Sequence, residues 1–515
     1  MWRQGGPPQP TQSAFSTIYR YTFLARSKFY SWKYLSWLIL LVAATNVICV
    51  GGKRRAFGIF VAALHGAYNE TSMSELNWIG DSYASLGFFL MPFVTTAIIR
   101  FKRPYRFTML LAGITIFLSC LTSSVVPNPG FLFLTHTVLH GVGSALVLCA
   151  TSLITGDYFD KNHRFHVLAT AFVSGGPYGV LIFGPLFSTW IHHHGWQNAF
   201  VYSAFLFLFV NLLGAITFLP RDVFEYNQMS GLTDEEATED GRSYQDTGKS
   251  SAGQSVELEP RASGGRGWAF CSLDHINQNP QVIIWGVERL IHNVVIYGLL
   301  MNLTAYVTQA LNDSLIKGAY VNLYFGLGES IVFTLGALTG DKIRGHLSFV
   351  YLVGACFAAV FLLILQRSYA NIDVVYVLAG FTGAAVGVGN TFLYATAEEV
   401  MLVHGSIAFP MTKMIAGIGM LIAPIFSGLI IDHYGFRGFF VSMAICVCLR
   451  VILLSAIYLI LRRKKHDAKK TAENVKRDES IVYSTKISKF PAEVITEEEV
   501  CNLEMHSNGY FGQMN

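Results

Sequence analysis

Pro185-Leu186-Phe187-Ser188, then Gly195-Trp196, then Ala199-Phe200-Val201: this stretch decides the architecture, because the second half of the chain repeats it. The copy reads Pro424-Ile425-Phe426-Ser427, then Gly435-Phe436, then Phe439-Phe440-Val441. A Gly-rich apolar run precedes each, with Gly175, Gly176 and Gly179 before the first and Gly417 and Gly419 before the second. Both copies occupy the same ordinal position within their half of the chain. Such a pairing implies two related halves packed face to face, with a site between them at mid-membrane, as many carriers are built.

Composition agrees with a bilayer. Of 515 residues, 52% are hydrophobic and only 14% charged, where a soluble domain carries about a quarter charged residues. Twelve charge-poor runs are long enough to span: 35–66, 78–99, 107–126, 131–154, 167–190, 198–219, 281–308, 318–340, 347–366, 373–395, 408–431 and 439–461. They should be helices, since only helices and closed barrels satisfy every backbone group in lipid, and the period-two alternation of a barrel is absent. The expected architecture is all-α and integral to the membrane. An N-terminal segment, 1–34, leads into a six-helix half, 35–220. A polar loop, 221–280, leads into a second half, 281–461, and a tail, 462–515. Loop and tail are too polar to fold alone. Six helices, a long polar loop and six more describe the major facilitator architecture. A net charge of +4 is too small to suggest nucleic-acid binding, and the eight cysteines show no zinc or disulfide spacing.

Basic residues set the expected orientation. One set of connections carries Arg100, Lys102, Arg103, Arg106, Lys161, Arg164, Lys342 and Arg344; the alternate set holds only Lys317, Arg367 and Arg437. Both termini are therefore expected in the cytoplasm, most simply beneath the plasma membrane. The glycosylation sequons at Asn69 and Asn312 then face outside. That at Asn302 lies inside a span and is discounted.

Charges inside spans are expensive and mark function. Lys53-Arg54-Arg55, after Gly51-Gly52, interrupts the run 35–66. Successive helix residues lie 100° apart, so the three cannot share one direction. One is expected in a wet cavity or against a partner; the plainer reading ends the span at Val50 and makes the triplet a loop. Glu329 is a lone carboxyl in the eighth span, either a proton or counter-ion site or a structural partner of Arg289 or another cation. Asn390 and Thr391 are candidate solute contacts or packing residues. Glu288 and Arg289 read as interfacial, Glu398, Glu399 and Lys413 as solvated or snorkelled, and Arg450 has no account. His192, His193 and His194 form an ordinary loop cluster rather than a metal site. No Ser/His, metal or phosphate-binding constellation supports an enzyme, and no cofactor is expected.

Gly156-Asp157-Tyr158-Phe159-Asp160-Lys161, with Leu168-Ala169-Thr170-Ala171 and Ser174-Gly175-Gly176-Pro177, resembles the fifth-span signature of the monocarboxylate transporter family. Asn77-Trp78-Ile79-Gly80, Phe325-Gly326 to Glu329, and Asp432-His433-Tyr434-Gly435 also look like that family. The resemblance covers 35–220 and 280–460. It implies that Arg55 stands where a family Lys helps bind the carboxylate, that Glu329 stands on the span-eight Asp of proton coupling, and that Asn390 lies near the solute. Tyr158, Phe159, Lys161, Gly175, Gly176 and Pro177 would belong to a gating motif, and a single-span accessory glycoprotein is a partner the family implies. One departure matters: the family Arg one turn after that Asp is Phe333 here. The expected activity is transport of a small organic anion, with or without protons. A facilitative uniporter for aromatic amino acids, hormones or other amphipathic metabolites, and a non-transporting receptor or scaffold, stay open.

Overall fold

Each apolar run is helical in the computed structural model, which describes residues 34–68, 73–221, 279–367 and 371–487. Helices α1 (Leu35–Ala67), α2 (Met73–Arg100) and α3 (Tyr105–Ser124) come first. A π-helical turn, Phe133–Val138, opens α4 (Leu139–Tyr158). Then follow α5 (His166–Val173), α6 (Gly176–Thr217), α7 (Gln281–Ala305), α8 (Leu315–Thr339), α9 (Leu347–Leu365), α10 (Ile372–Thr391), α11 (Leu393–Met401) and α12 (Gly405–Ile487). No strand occurs among the described residues. The described residues up to Ile457 belong to one compact unit, and those from Tyr458 belong to a second.

Ten helical stretches among the described residues are long and apolar enough to cross a membrane. Two of them, of 52 and 63 residues, far exceed the ~20 residues that one crossing needs. Each breaks at a glycine of the repeat: Gly195 at φ 80° and Gly435 at φ 65°. These are left-handed backbone positions that favour glycine. The repeated Gly therefore does one job twice, turning the chain between two crossings, and ten stretches become twelve spans. Gly195 lies next to the exposed His192, His193 and His194.

Two spans expected to be continuous are interrupted. The fifth stops at Val173, passes Ser174 and Gly175, and restarts at Gly176 with Pro177 in its first turn, where a missing N–H costs nothing. The tenth breaks at Phe392, just after Asn390 and Thr391. Hydropathy is blind to such breaks because both sides stay apolar.

Glycine also sets the approach of α1 to α6. A Cβ at Gly51 would lie 2.5 Å from the Gly176 Cα, and one at Gly52 would lie 2.8 Å from the Gly179 Cα. Backbones therefore meet where the cationic triplet begins. The two halves meet through polar bonds: Ser85 Oγ donates to the Gly417 carbonyl at 2.8 Å, and the Tyr178 and Thr334 hydroxyls share a hydrogen bond of 2.5 Å.

Candidate functional site

α1 runs unbroken through Lys53-Arg54-Arg55, so the triplet lies within a span and the loop alternative falls. The 100° step sends each cation to a different destination. Lys53 turns into the first half and is fully buried. Its Nζ donates to Cys120 Sγ at 3.1 Å and lies 3.3 Å from His140 Nδ1, with the Phe200 and Phe207 ring centroids at 5.4 and 5.6 Å.

Arg55 points across to the second half. Its Nη1 donates to Glu329 Oε2 at 2.5 Å and its Nη2 to Glu329 Oε1 at 2.8 Å. The two side chains are 5% and 1% exposed, and this fork geometry is the strong form of the pair. Asn390 Nδ2 donates to the same Oε1 at 2.9 Å. The three residues singled out from sequence thus form one cluster, although 274 positions separate Arg55 from Glu329. Arg55 is engaged by a carboxylate rather than free. One turn beyond Glu329, the fully buried Phe333 packs edge-on against Tyr178, with centroids 5.1 Å apart.

Arg54 faces a narrow cleft that is partly open to solvent. Lys413 faces the same cleft, between walls that include Phe88, Phe409, Met91 and Leu148. Both cations lie against rings. The Arg54 Cζ is 4.9 Å and the Lys413 Nζ 4.8 Å from the Phe88 centroid, and Lys413 is also 5.4 Å from Phe409. Among the described residues neither makes an ion pair, and the Arg54 Nε has no hydrogen-bond partner. A ring contributes about 0.5–2 kcal/mol to such a cation, against at least about 2.5–3.5 kcal/mol for placing it mid-membrane. Each cation has two rings, since Tyr297 also lies 5.8 Å from the Arg54 Cζ, so the rings offset part of the cost and leave both cations open to an anion. The expected solvated or snorkelled position of Lys413 is corrected. The available signal was its place one turn before Gly417 of the repeated Gly-rich run.

A third charged group was also misplaced by sequence. Glu288 and Arg289, expected at the interface, are fully buried. The Arg289 Nε and Nη2 donate to Glu288 at 2.5 and 2.8 Å. The Arg450 Nε donates to Glu288 Oε1 at 3.0 Å, which gives Arg450 its account. The partner of Arg289 is therefore Glu288 rather than Glu329. The Arg289 Nη1 and the Tyr351 hydroxyl both donate to the Gly389 carbonyl, at 3.0 and 2.6 Å. The cluster thereby ties α7 and α12 to the residue before Asn390.

The family model of the Major Facilitator Superfamily matches residues 43–408. The chain belongs to the major facilitator superfamily. Among curated proteins it is 26% identical over 181 residues to monocarboxylate transporter 13 of Bos taurus, a match covering 35% of this chain and 41% of that protein. It is 26% identical over 183 residues to monocarboxylate transporter 9 of Gallus gallus and of Rattus norvegicus, covering 35% of this chain and 34% of each relative. The chain thus spans well under half the length of the curated relatives it matches.

In this major facilitator protein the fifth-span signature does mainly packing work. Tyr158 is buried and donates to the Leu219 carbonyl at 2.9 Å. Phe159 is buried beside Trp37, with centroids 5.4 Å apart, and Lys161 is exposed. Gly175, Gly176 and Pro177 form the helix break. At this same end α5 meets the second half. Asp341 accepts from the Val167 N–H at 2.8 Å and the Leu168 N–H at 3.2 Å. Here a carboxylate meets the positive end of a helix. Glu398, expected in solvent, is buried. It lies 3.2 Å from His166 Nε2 and accepts from the Gly405 N–H at 3.2 Å. Burial pushes its carboxyl up, but the hydrogen bond and charge of His166 outweigh that and hold it below the usual carboxylate range. Asn312 is exposed, with φ at 51°; Asn69 lies outside the described residues.

Proposed function

We propose that this protein is a secondary transporter that moves a monocarboxylate or related small organic anion across the plasma membrane by alternating access. The observation that carries the reading is the buried Arg55–Glu329 pair, which joins the two halves. With no solute bound, Glu329 neutralises Arg55. Protonation of Glu329 releases the guanidinium, and a solute carboxylate takes the vacated place. A monocarboxylate and a proton then cross together with no net charge. Asn390 holds Glu329 in register through this exchange.

With the basic connections in the cytoplasm, the contacts at Asp341 and at His166–Glu398 close the cytoplasmic end. Rocking of the halves must break those contacts. Phe333 favours a second reading. It places an aromatic ring where the resembled family has a cation, which suits facilitated uptake of an amphipathic solute without protons. Uptake by purified protein in liposomes, with and without an imposed pH gradient, separates the two readings. Gradient-driven accumulation supports coupling, whereas equilibration that ignores the gradient supports the uniporter. Binding without flux would indicate a receptor.

A further inference from the structure

We infer that Arg54 and Lys413 form an anion-recognition pair separate from Arg55–Glu329, and that the cleft takes an organic solute with two negative charges on an aromatic or apolar body. The inference rests on the transport reading only in taking the cleft as the solute's place. It narrows the solute to a dianionic class.

Charge counting carries the argument. Two cationic side chains line the cleft, Arg54 and Lys413, and neither has a carboxylate partner among the described residues; Arg55, beside Arg54 on the same helix, is matched by Glu329. Glu329 is already held by both Arg55 nitrogens and by Asn390, so it has little left to offer Arg54 or Lys413. The nearby Glu288 is likewise committed to Arg289 and Arg450. A monocarboxylate would settle one surplus charge and leave the other against apolar walls. A dicarboxylate settles both.

The walls describe the rest of the solute. The Phe88 centroid lies 4.9 Å from the Arg54 Cζ and 4.8 Å from the Lys413 Nζ, so the two cations share one ring. Val47, Val50, Met91 and Leu148 continue the apolar surface. The pair also spans the two halves, one cation on α1 and one on α12. A dianion held by both therefore draws the halves together, which is what loading a rocking carrier requires.

Matched probes test this: benzoate against isophthalate, the same ring with one or two carboxylates. Binding is read as concentration-dependent thermal stabilisation of the full-length protein in detergent, and flux is read separately in liposomes. The expected result is at least tenfold tighter binding of isophthalate than of benzoate. Arg54→Gln or Lys413→Gln should each weaken isophthalate about tenfold and leave benzoate within twofold. Arg54→Lys, which keeps the charge, should retain the preference and guards against a folding defect. The inference is overturned if the wild-type protein binds benzoate as well as isophthalate, if neither probe binds, or if the preference survives both neutral substitutions. Isophthalate binding that depends on Arg54 and Lys413, without flux, would leave the inference standing and sink the transport reading. Saturable benzoate flux by a protein that binds isophthalate no more tightly than benzoate would do the reverse.

Discussion

Replacing Glu329 with Gln should be the more damaging of the two ways to break the central pair. The carboxylate accepts from Arg55 at 2.5 and 2.8 Å with both side chains almost wholly buried. Removing its charge strands a buried guanidinium, and breaking such a pair typically costs about 3–5 kcal/mol. At about 1.4 kcal/mol per tenfold, that is a factor of roughly 10² to 10³ or more. Because the partners sit on opposite halves, the loss falls on the state in which the halves meet. Arg55→Gln is milder, since the Glu329 carboxyl left behind can take a proton and become neutral, whereas a guanidinium keeps its charge. The double substitution Arg55→Gln with Glu329→Gln should recover most of the stability, because no buried charge remains. Thermal unfolding of the four purified proteins in one detergent gives the ranking: wild type and double variant highest, Arg55→Gln next, Glu329→Gln lowest. A Glu329→Gln protein that melts with the wild type, or a double variant worse than either single one, would refute the reasoning.

Gly51→Val should weaken the protein by about 1–3 kcal/mol through overpacking, because any Cβ there meets the Gly176 backbone; a melting temperature unchanged from wild type would contradict the close approach. Glu288→Gln should abolish stable expression, since it leaves Arg289 and Arg450 without their shared carboxylate; normal yield and monodispersity would argue against the cluster's role. Glu398 titrates below the usual carboxylate range when folded. Its contribution is therefore fully present above the unfolded-state value and is lost as pH falls through the depressed one. Acidification should loosen the α5–α11 contact, and Glu398→Gln should flatten that part of the pH–stability profile; an identical profile in the variant would refute the assignment.

Much of this arrangement was legible in the residues, for reasons that also explain the failures. Hydropathy finds the spans because lipid demands an apolar exterior, and the repeat locates both turning glycines, Gly195 and Gly435. The rarity of charge in spans singles out the triplet and Glu329. Spacing along one helix gives relative direction, so it shows that Lys53, Arg54 and Arg55 must diverge. It does not give the absolute rotation of α1 against its neighbours, which decides that Arg55 meets Glu329 and Arg54 the cleft. For the same reason Lys413 read as a snorkelling residue and Arg450 as unexplained: their surroundings come from distant helices, with Glu288 lying 162 positions before Arg450. The breaks at Ser174–Gly175 and Phe392 escaped notice because an interrupted span can stay apolar throughout.

The most direct test of the central claim is saturable uptake of a radiolabelled organic acid into liposomes containing either the wild-type chain or Arg55→Gln at equal incorporation. The account predicts saturable flux for the wild type and none above background for the variant. Equal flux in both, or binding without flux in the wild type, would contradict it.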